Sequence, residues 1–555
     1  MTAADLVLVA DALHGTAGEA LAVARDGIGA IGDRRDAPAW SGVGTRTLRL
    51  PGIVSPGLVD AHTHPVLGAR MARGIDLREV RTLDELRSTL AAARRGVSEW
   101  ILGWGLSHDV WAGAAITAEA LDDAVGDVPT LLRMFDAHSA LASSAALARA
   151  GVTGRRTFAS GAHVDVDDAG TPTGFLHEHE AIDLIECLVP LEPASAVAAR
   201  LAGALEQMAS VGLTGAHVMD FEGDPAALYA AVESEDRMPL RLRIHPWVDP
   251  ASTPDDWEAL IAATGTGGAS WRRHGVKLFL DGTIDNGTAW LTRPDRDGRS
   301  VRSTWPSPSR YAAAIARFAA AGVPTATHAI GDAAVRHAAA SIADARAAHP
   351  GSVHRIEHLE LTGDDVVAAV ARSGAVASMQ PTHCTRFVRA DRSDNWSTRV
   401  GADRAEHSWR TRSLADGGVT LALGSDWAIA PFDPREILVE AQTRRHGAAG
   451  PIGANEALTA AQAFAAFTTG AAVAAGWTTR GARRGDSCRS HRAERRPVRL
   501  GARGGRGRGR PRHRGRRAGP LPGRVSATGD RRPRRTGGAR REKVAAWRTL
   551  PAGTP

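Results

Sequence analysis

The chain has 555 residues and a formal charge of +7, from 68 Lys plus Arg against 61 Asp plus Glu. That length leaves room for a large core and for two to four domains, although an α/β barrel can take roughly 250 residues alone. Cys187, Cys384 and Cys488 form no close pair, which argues against a disulfide framework or a cysteine zinc site and for a reducing, cytoplasmic setting.

The first residues carry no basic cluster, and no apolar stretch is long enough to span a bilayer, so neither signal peptide nor membrane anchor is expected. The net charge averages two unlike pieces. Residues 487–555 hold 21 Arg and one Lys against Glu494, Asp530 and Glu542, a net of +19, which leaves residues 1–486 at −12.

Residues 5–50 alternate short Val/Leu segments with Gly and Asp turns, the pattern of small antiparallel strands. After Pro51-Gly52, apolar runs alternate with Ala-rich helical stretches, as in a parallel sheet with crossover helices. Eight such runs are Leu58–His62, Gly215–Val218, Leu240–His245, Val276–Leu280, Thr325–His328, Arg355–His358, Val376–Gln380 and Thr420–Asp426. Eight is the number that closes a (β/α) barrel, whose chemistry sits at the C-terminal strand ends. Residues 66–200 interrupt the series as a long insertion with one further strand candidate, Thr130–Met134, and an insertion of that length builds a lid or part of a pocket. Helices are expected near 434–445 and 458–475.

Ligand-type residues fall on the ends of these runs. His62 and His64 close the first run, and period-2 alternation turns both imidazoles to one face, within reach of a single ion. His328 and His358 end the fifth and sixth runs, and Asp426 ends the eighth. Taken singly, each reads as a hydrogen-bonded core histidine or a helix-capping aspartate. That explanation would have to hold at four separate strand ends at once.

Only Lys277 and Lys543 are lysines. Lys277 sits in the apolar run Val276–Leu280, in a chain that uses Arg nearly everywhere else. Between imidazole-bound cations, repulsion and desolvation drive a lysine towards its neutral amine. A neutral lysine can add carbon dioxide to form a carbamate, an anionic ligand able to bridge two metals, and Arg cannot.

In these motifs the sequence resembles the amidohydrolase superfamily, and more closely amidohydrolase family 3, the group with N-substituted formamide deformylases. The resemblance rests on Pro56-Gly57-Leu58-Val59-Asp60-Ala61-His62-Thr63-His64, Val276–Thr283, His328-Ala329-Ile330-Gly331-Asp332, Arg355-Ile356-Glu357-His358 and Gly424-Ser425-Asp426-Trp427, and runs from about residue 5 to 486. It implies an α/β fold: a TIM-like (β/α)8 barrel over 57–477, a small N-terminal β-sandwich domain over 1–56 completed by strands near 478–486 and beyond, and the insertion after the first barrel strand.

It also implies one or two divalent metal ions, zinc first, with manganese or iron also suited to a carbamate-bridged pair. His62 and His64 would bind one ion, His328 and His358 the other, and carboxylated Lys277 would bridge them. Asp426 would serve as ligand and general base, with His358 beside it in catalysis. The activity implied is hydrolysis of a carbon–nitrogen bond other than a peptide bond, in a small amide or N-acyl or N-formyl compound.

In the insertion, Asp136-Ala137-His138-Ser139 and Thr173-Gly174-Phe175-Leu176-His177-Glu178 resemble the family's pocket segments, with Ser143 where the family has Asn. Trp104, His108, His138 and Glu178 are the substrate-binding candidates. His217, His245, His274, His337, His354 and His383 read as structural or surface residues. Oligomeric state is left open, a homodimer included.

Beyond Asp486 the apolar periodicity vanishes. With GC-rich codons chosen to suit, a one-nucleotide shift can turn residues 486–497 into Thr-Arg-Ala-Asp-Leu-Thr-Val-Leu-Ser-Ala-Asp-Pro, a family-like strand, so 487–555 is compatible with an out-of-frame tail. That opens a second outcome, a catalytically impaired product. A third is an Arg/Gly nucleic-acid arm around 503–510, which lacks the interleaved aromatics needed for base stacking.

Overall fold

A computed structural model describes residues 4–24, 27–96, 99–220 and 225–476. The tail and the expected strands beyond 477 lie outside the described residues. Two compact units divide at Pro56/Gly57. No helix among the described residues is long and apolar enough to cross a membrane.

In the first unit, Gly27–Gly32, Ala20–Ala24, Leu6–Val9 and Arg46–Arg49 form a four-stranded sheet in that order. Alternation sends Val7, Val9, Ala20 and Ala22 to one face with Ala37, and Leu8, Leu21 and Val23 to the other with Leu13 and Val54. The expected antiparallel pairing holds for three of these strands. Arg46–Arg49 runs parallel to Leu6–Val9, because the chain crosses over through the short helix Ala37–Trp40 instead of turning back in a hairpin.

The second unit carries the parallel strands. Leu58–Thr63, Leu213–Val218, Arg241–Ile244 and Trp271–Arg273 form one sheet. Trp247–Val248, Val276–Phe279, Thr325–Ala329, His354–His358, Val376–Met379 and Leu421–Leu423 form another. The expectation of one closed sheet therefore meets two, and Pro246, which has no N–H to donate, sits at one of the breaks. At the Pro246 break the two strand pairs run on by chain continuity, with His274 N donating to Ile244 O (2.7 Å) at the end of the first ladder and Lys277 N to Pro246 O (2.9 Å) at the start of the second. At the other break hydrogen bonds join the sheets directly: Asp426 N donates to His62 O (2.8 Å) and His64 N to Trp427 O (2.5 Å).

Gly424 permits that second approach, since a Cβ there would lie 2.5 Å from His62 N. Amphipathic helices cover the strands. Pro308–Ala320, capped by Ser307, buries Tyr311, Ile315 and Phe318 at helical spacing. The expected 434–445 helix is Pro434–Thr443, and the 458–475 stretch is broken by a π-turn at Ala466–Gly470.

Residues 75–177 hold a third sheet, ordered His163–Val166, Pro172–His177, Ser139–Ala142, Thr130–Met134, Ile101–Leu106, Ile75–Asp76. Neighbouring residues split between two cores: Leu132, Leu141 and Phe175 pack on one face, Leu131, Ala140, Ala142 and Leu176 on the other.

Candidate functional site

The ends of the parallel strands bring His62, His64, Lys277, His358 and Asp426 together in a buried cluster. His62 and His64 share one face, as alternation requires, with their Nε2 atoms 3.3 Å apart. Asp426 Oδ1 lies 3.1 Å from His64 Nε2 and 3.6 Å from His62 Nε2. These separations are near the ~3.3 Å edge of a tetrahedron with metal bonds of 2.0–2.1 Å. Asp426 Oδ1 is buried without a hydrogen bond, an orphaned acceptor that a cation would satisfy. The three side chains therefore fit a divalent metal.

The other carboxylate oxygen faces a different pair. Asp426 Oδ2 is 3.8 Å from His358 Nδ1 and 3.6 Å from His383 Nε2, and these three also form a group with metal-ligand spacing. The sequence reading makes His383 structural or surface; in the structure it is buried and lines the cavity. Its only signal is position, four residues past the end of the Val376–Met379 strand in the first turn of the Pro381–Phe387 helix.

His328 stands close to His358, with ring centroids 4.5 Å apart, but its Nε2 is 3.2 Å from Gly282 O and its ring stacks on Phe279. Across Asp426 the partner of His358 is thus His383, whereas the expected His328 meets His358 ring to ring.

The groups behind the cluster fix its tautomers. His62 Nδ1 lies 2.6 Å from Glu357 Oε2, so the ring donates there and leaves Nε2 as a lone pair. Glu357 is in turn held by the fully buried Arg355 at 2.5 Å, which also donates to Ser378 and to Ala61 O. Burial, with Lys277 adding to it, pushes His62 down to about 4, so the ring is neutral near pH 7. Burial opposes ionisation of Asp426, but the imidazoles of His62, His64 and His358 outweigh it and hold the carboxyl well below its ordinary value. Asp60 accepts from Ser425 and His62 backbone N–H groups and ties the first run to the eighth.

Removing one member of the Arg355–Glu357 pair leaves a buried charge alone. Arg355→Met is expected to lower stability by about 3–5 kcal/mol, read as a shift in the urea midpoint.

Lys277 is fully buried, with Nζ 3.5 Å from His62 Nε2 and over the Phe279 ring at 4.9 Å. Burial pushes its ammonium down to about 8, against the pull of Glu357 and Asp426. Asp426, His358 and Glu178 adopt left-handed backbone, with φ of 55°, 74° and 64°. Such residues cost on the order of 1–3 kcal/mol each and persist where the surroundings dictate them.

A cavity of about 750 Å³, open at its mouth, lies over the cluster. Its walls include Phe135, Trp247, Phe279, Phe387, Trp396 and Trp409. Of the substrate-binding candidates, His138 lines it, with Nδ1 2.8 Å from Glu178 Oε2. Glu178 also accepts from Thr288 Oγ1 at 2.5 Å. His108 sits behind the wall, 3.2 Å from Asn286 Oδ1, while Asn286 donates to Asp136.

Trp104 does not line the cavity but packs behind its wall, in a hydrophobic cluster with Met71 and the lining residues Leu67 and Ala137, under the Arg78 guanidinium. Ser143 caps the Ser144–Arg149 helix and accepts from Thr130 N, so the departure from Asn falls on a helix cap.

Burial works against the His138 cation, but the Glu178 and Asp136 carboxylates raise its pKa above the ordinary 6.5; burial likewise opposes the Glu178 anion, and His138 lowers it below 4.5. Stabilisation from His138 is complete below pH 6.5 and lost as pH rises through its raised value. That from Glu178 is complete above pH 4.5 and lost as pH falls through its lowered value, so the pair is strongest between them. In metal-free protein, Glu178→Gln is expected to lower the His138 titration, measured by histidine NMR, since burial remains and the carboxylate that does most to raise it is gone.

Comparison with known proteins matches the amidohydrolase family over residues 52–482. YtcJ of Bacillus subtilis (strain 168), named as an amidohydrolase, is 28% identical over 448 residues, covering 77% of this chain and 81% of that protein. The N-substituted formamide deformylase of Arthrobacter pascens is 25% identical over 442 residues, covering 76% and 79%. In fold, the chain is similar to an uncharacterized metal-dependent hydrolase from Pyrococcus horikoshii OT3, with a TM-score of 0.65, 22% identity and coverage of 85% of this chain and 93% of that one. The match extends across the strands that carry the cluster, and the chain belongs to the amidohydrolase family.

Proposed function

We propose that the chain hydrolyses the carbon–nitrogen bond of a small amide, in the N-acyl or N-formyl class, at the His62–His64–Asp426 cluster. The observation that carries this reading is the meeting of two imidazole nitrogens and a buried carboxylate oxygen within 3.1–3.6 Å, with a buried lysine amine 3.5 Å from His62. We read the two parallel sheets as one eight-stranded barrel, in which Arg241–Ile244 runs on into Trp247–Val248 and Trp271–Arg273 into Val276–Phe279 as two interrupted strands, supported by the hydrogen bonds of Asp426 N to His62 O and His64 N to Trp427 O.

His62, His64 and Asp426 would hold a divalent cation, zinc by the donor set, with His358, His328 and His383 available to a second. When bound, such a cation lowers the pKa of water towards ~7 and polarises a carbonyl. Asp426, kept ionised by its neighbours, takes a proton from the attacking water and returns it to the leaving nitrogen. Glu357 and Gln380 fix the rings of His62 and His358. Lys277, displaced towards its neutral amine, could add carbon dioxide, its Nζ forming the N–C bond as one C=O π bond opens and one proton leaves, and the resulting carbamate would supply a further anionic oxygen ligand for the metal.

The aromatic walls favour an acyl amide with an apolar or aromatic substituent over a highly charged one. In support, the relative from Arthrobacter pascens is named for the deformylation of N-substituted formamides.

Elemental analysis of purified protein, followed by a panel of N-formyl and N-acyl amines, tests the reading. Chelation should abolish turnover and added Zn²⁺ restore it; metal-free protein with undiminished turnover overturns it.

A second reading is favoured by where the family match stops, at residue 482, next to the change of composition at Asp486. Residues 487–555 are then an out-of-frame tail, the N-terminal sandwich lacks its last strands, and activity is impaired. Sequencing the gene across codon 486, and comparing turnover of this chain with a frame-restored one, separates the two.

A further inference from the structure

One buried histidine in the insertion sheet is left without a purpose by the hydrolytic site. His177 is 1% exposed, and neither ring nitrogen has a hydrogen-bond partner. Leaving a polar group buried and unpaired costs about 1–3 kcal/mol, so something should occupy those nitrogens. The strand register places candidates beside it. His163 is the direct cross-strand partner of His177, with the rings stacked at 4.3 Å and 9° from parallel, so one ring must turn for both lone pairs to meet at one ion, and His177, held by no hydrogen bond, is the one able to turn. Asp165, where the register shifts, brings Oδ2 to 3.8 Å from His177 Nε2, too long for a hydrogen bond. The ligand atoms of all three lie within 4.8 Å of one another.

We propose that His163, Asp165 and His177 form a further metal site, for a borderline divalent cation of the Zn²⁺ type. His163 Nδ1 lies 3.0 Å from Gly161 O, so that nitrogen donates to the carbonyl and Nε2 keeps its lone pair. A hydrogen bond of this kind is the usual support for a ligating imidazole. Arg299 lies 3.8 Å from Asp165 Oδ1 and steadies one carboxylate oxygen while the other faces His177.

Arg299, and Arg155 near His163, add positive charge around the site. Their charge opposes any cation alike; it is the donor set of two nitrogens and one oxygen that favours an ion preferring imidazole over a hard one such as Ca²⁺ or Mg²⁺, which depends on anionic oxygen. Water would complete the coordination on the side of the half-exposed His163.

The site clasps the edge strand His163–Val166 to Pro172–His177, whose next residue, Glu178, holds His138 in the cavity wall. Its role is to fix the end of that strand, and it stands independently of the hydrolytic reading.

The test uses the full chain. Metal-stripped wild type, His163→Ala, Asp165→Asn and the double variant His62→Ala/His64→Ala are titrated with Zn²⁺ against a chromophoric chelator. His163→Ala is expected to bind one equivalent less than wild type, Asp165→Asn to hold that equivalent roughly 10–100-fold more weakly, and the double variant to retain it. With Co²⁺, the wild-type minus His163→Ala difference spectrum should show the visible bands of a distinct nitrogen-ligated site, a readout that does not need the double variant to fold. Identical Zn²⁺ stoichiometry and superimposable Co²⁺ spectra for wild type and His163→Ala overturn the proposal.

Discussion

Lys277→Arg is expected to strip the cluster of most of its metal and to lower kcat/KM by roughly 10³-fold or more, the rate equivalent of the several kcal/mol that metal catalysis supplies. The substitution keeps a cation of similar length in a fully buried position, so it isolates the chemistry of the amine. A guanidinium stays charged and cannot form a carbamate, whereas burial already brings the Lys277 ammonium down to about 8. It would also set a permanent charge about where Nζ lies 3.5 Å from His62 Nε2, repelling any ion held there. Metal per chain and turnover are measured together. If both are retained in Lys277→Arg, the carbamate is removed from the mechanism while the His62–His64–Asp426 cluster stands.

Asp426→Asn carries the second large effect. The amide keeps an oxygen to face His62 and His64 but cannot accept the proton of water. Turnover is expected to fall by ~10²–10⁴, the usual contribution of a positioned general base. Metal content should change far less, and KM little. The acidic limb of the pH–rate profile should disappear with the carboxylate. A variant that keeps its metal and most of its turnover would place the base elsewhere, with His358 and His383, on the far oxygen of the same carboxylate, the next to test.

How much could be seen in the sequence depended on how local each signal was. The parallel-strand segments were legible because each is an apolar run bounded by turn residues, and a polar group ending such a run stands out, as at His62, His328, His358 and Asp426. Lys277 was legible because the chain otherwise avoids lysine. His383 carried no comparable mark: it sits inside a helical turn, and only the packing of Pro381–Phe387 brings it towards Asp426.

The sheet of residues 75–177 was read as a single strand, since segments such as Ser139–Ala142 and Pro172–His177 are short and rich in small residues that signal no period. Trp104 illustrates the converse difficulty. A tryptophan beside the expected pocket is as readily a core residue, and its strand direction, which decides the matter, depends on the register with Thr130–Met134. The break at Pro246 was visible as a proline, but its effect on the ladder depends on which neighbour needed the missing N–H.

The sheet of residues 75–177 has two hydrophobic faces of its own, yet it contributes His138, Phe135 and Asp136 to the chamber above the strand ends. The chamber is thereby walled in part by a separately packed scaffold and in part by Trp247, Phe279, Phe387, Trp396 and Trp409 beyond it. A lineage can therefore reshape part of what the chamber admits by altering one hydrophobic core, and exchanging residues 75–177 between relatives is expected to shift preference while the His62–His64–Asp426 cluster stays in place.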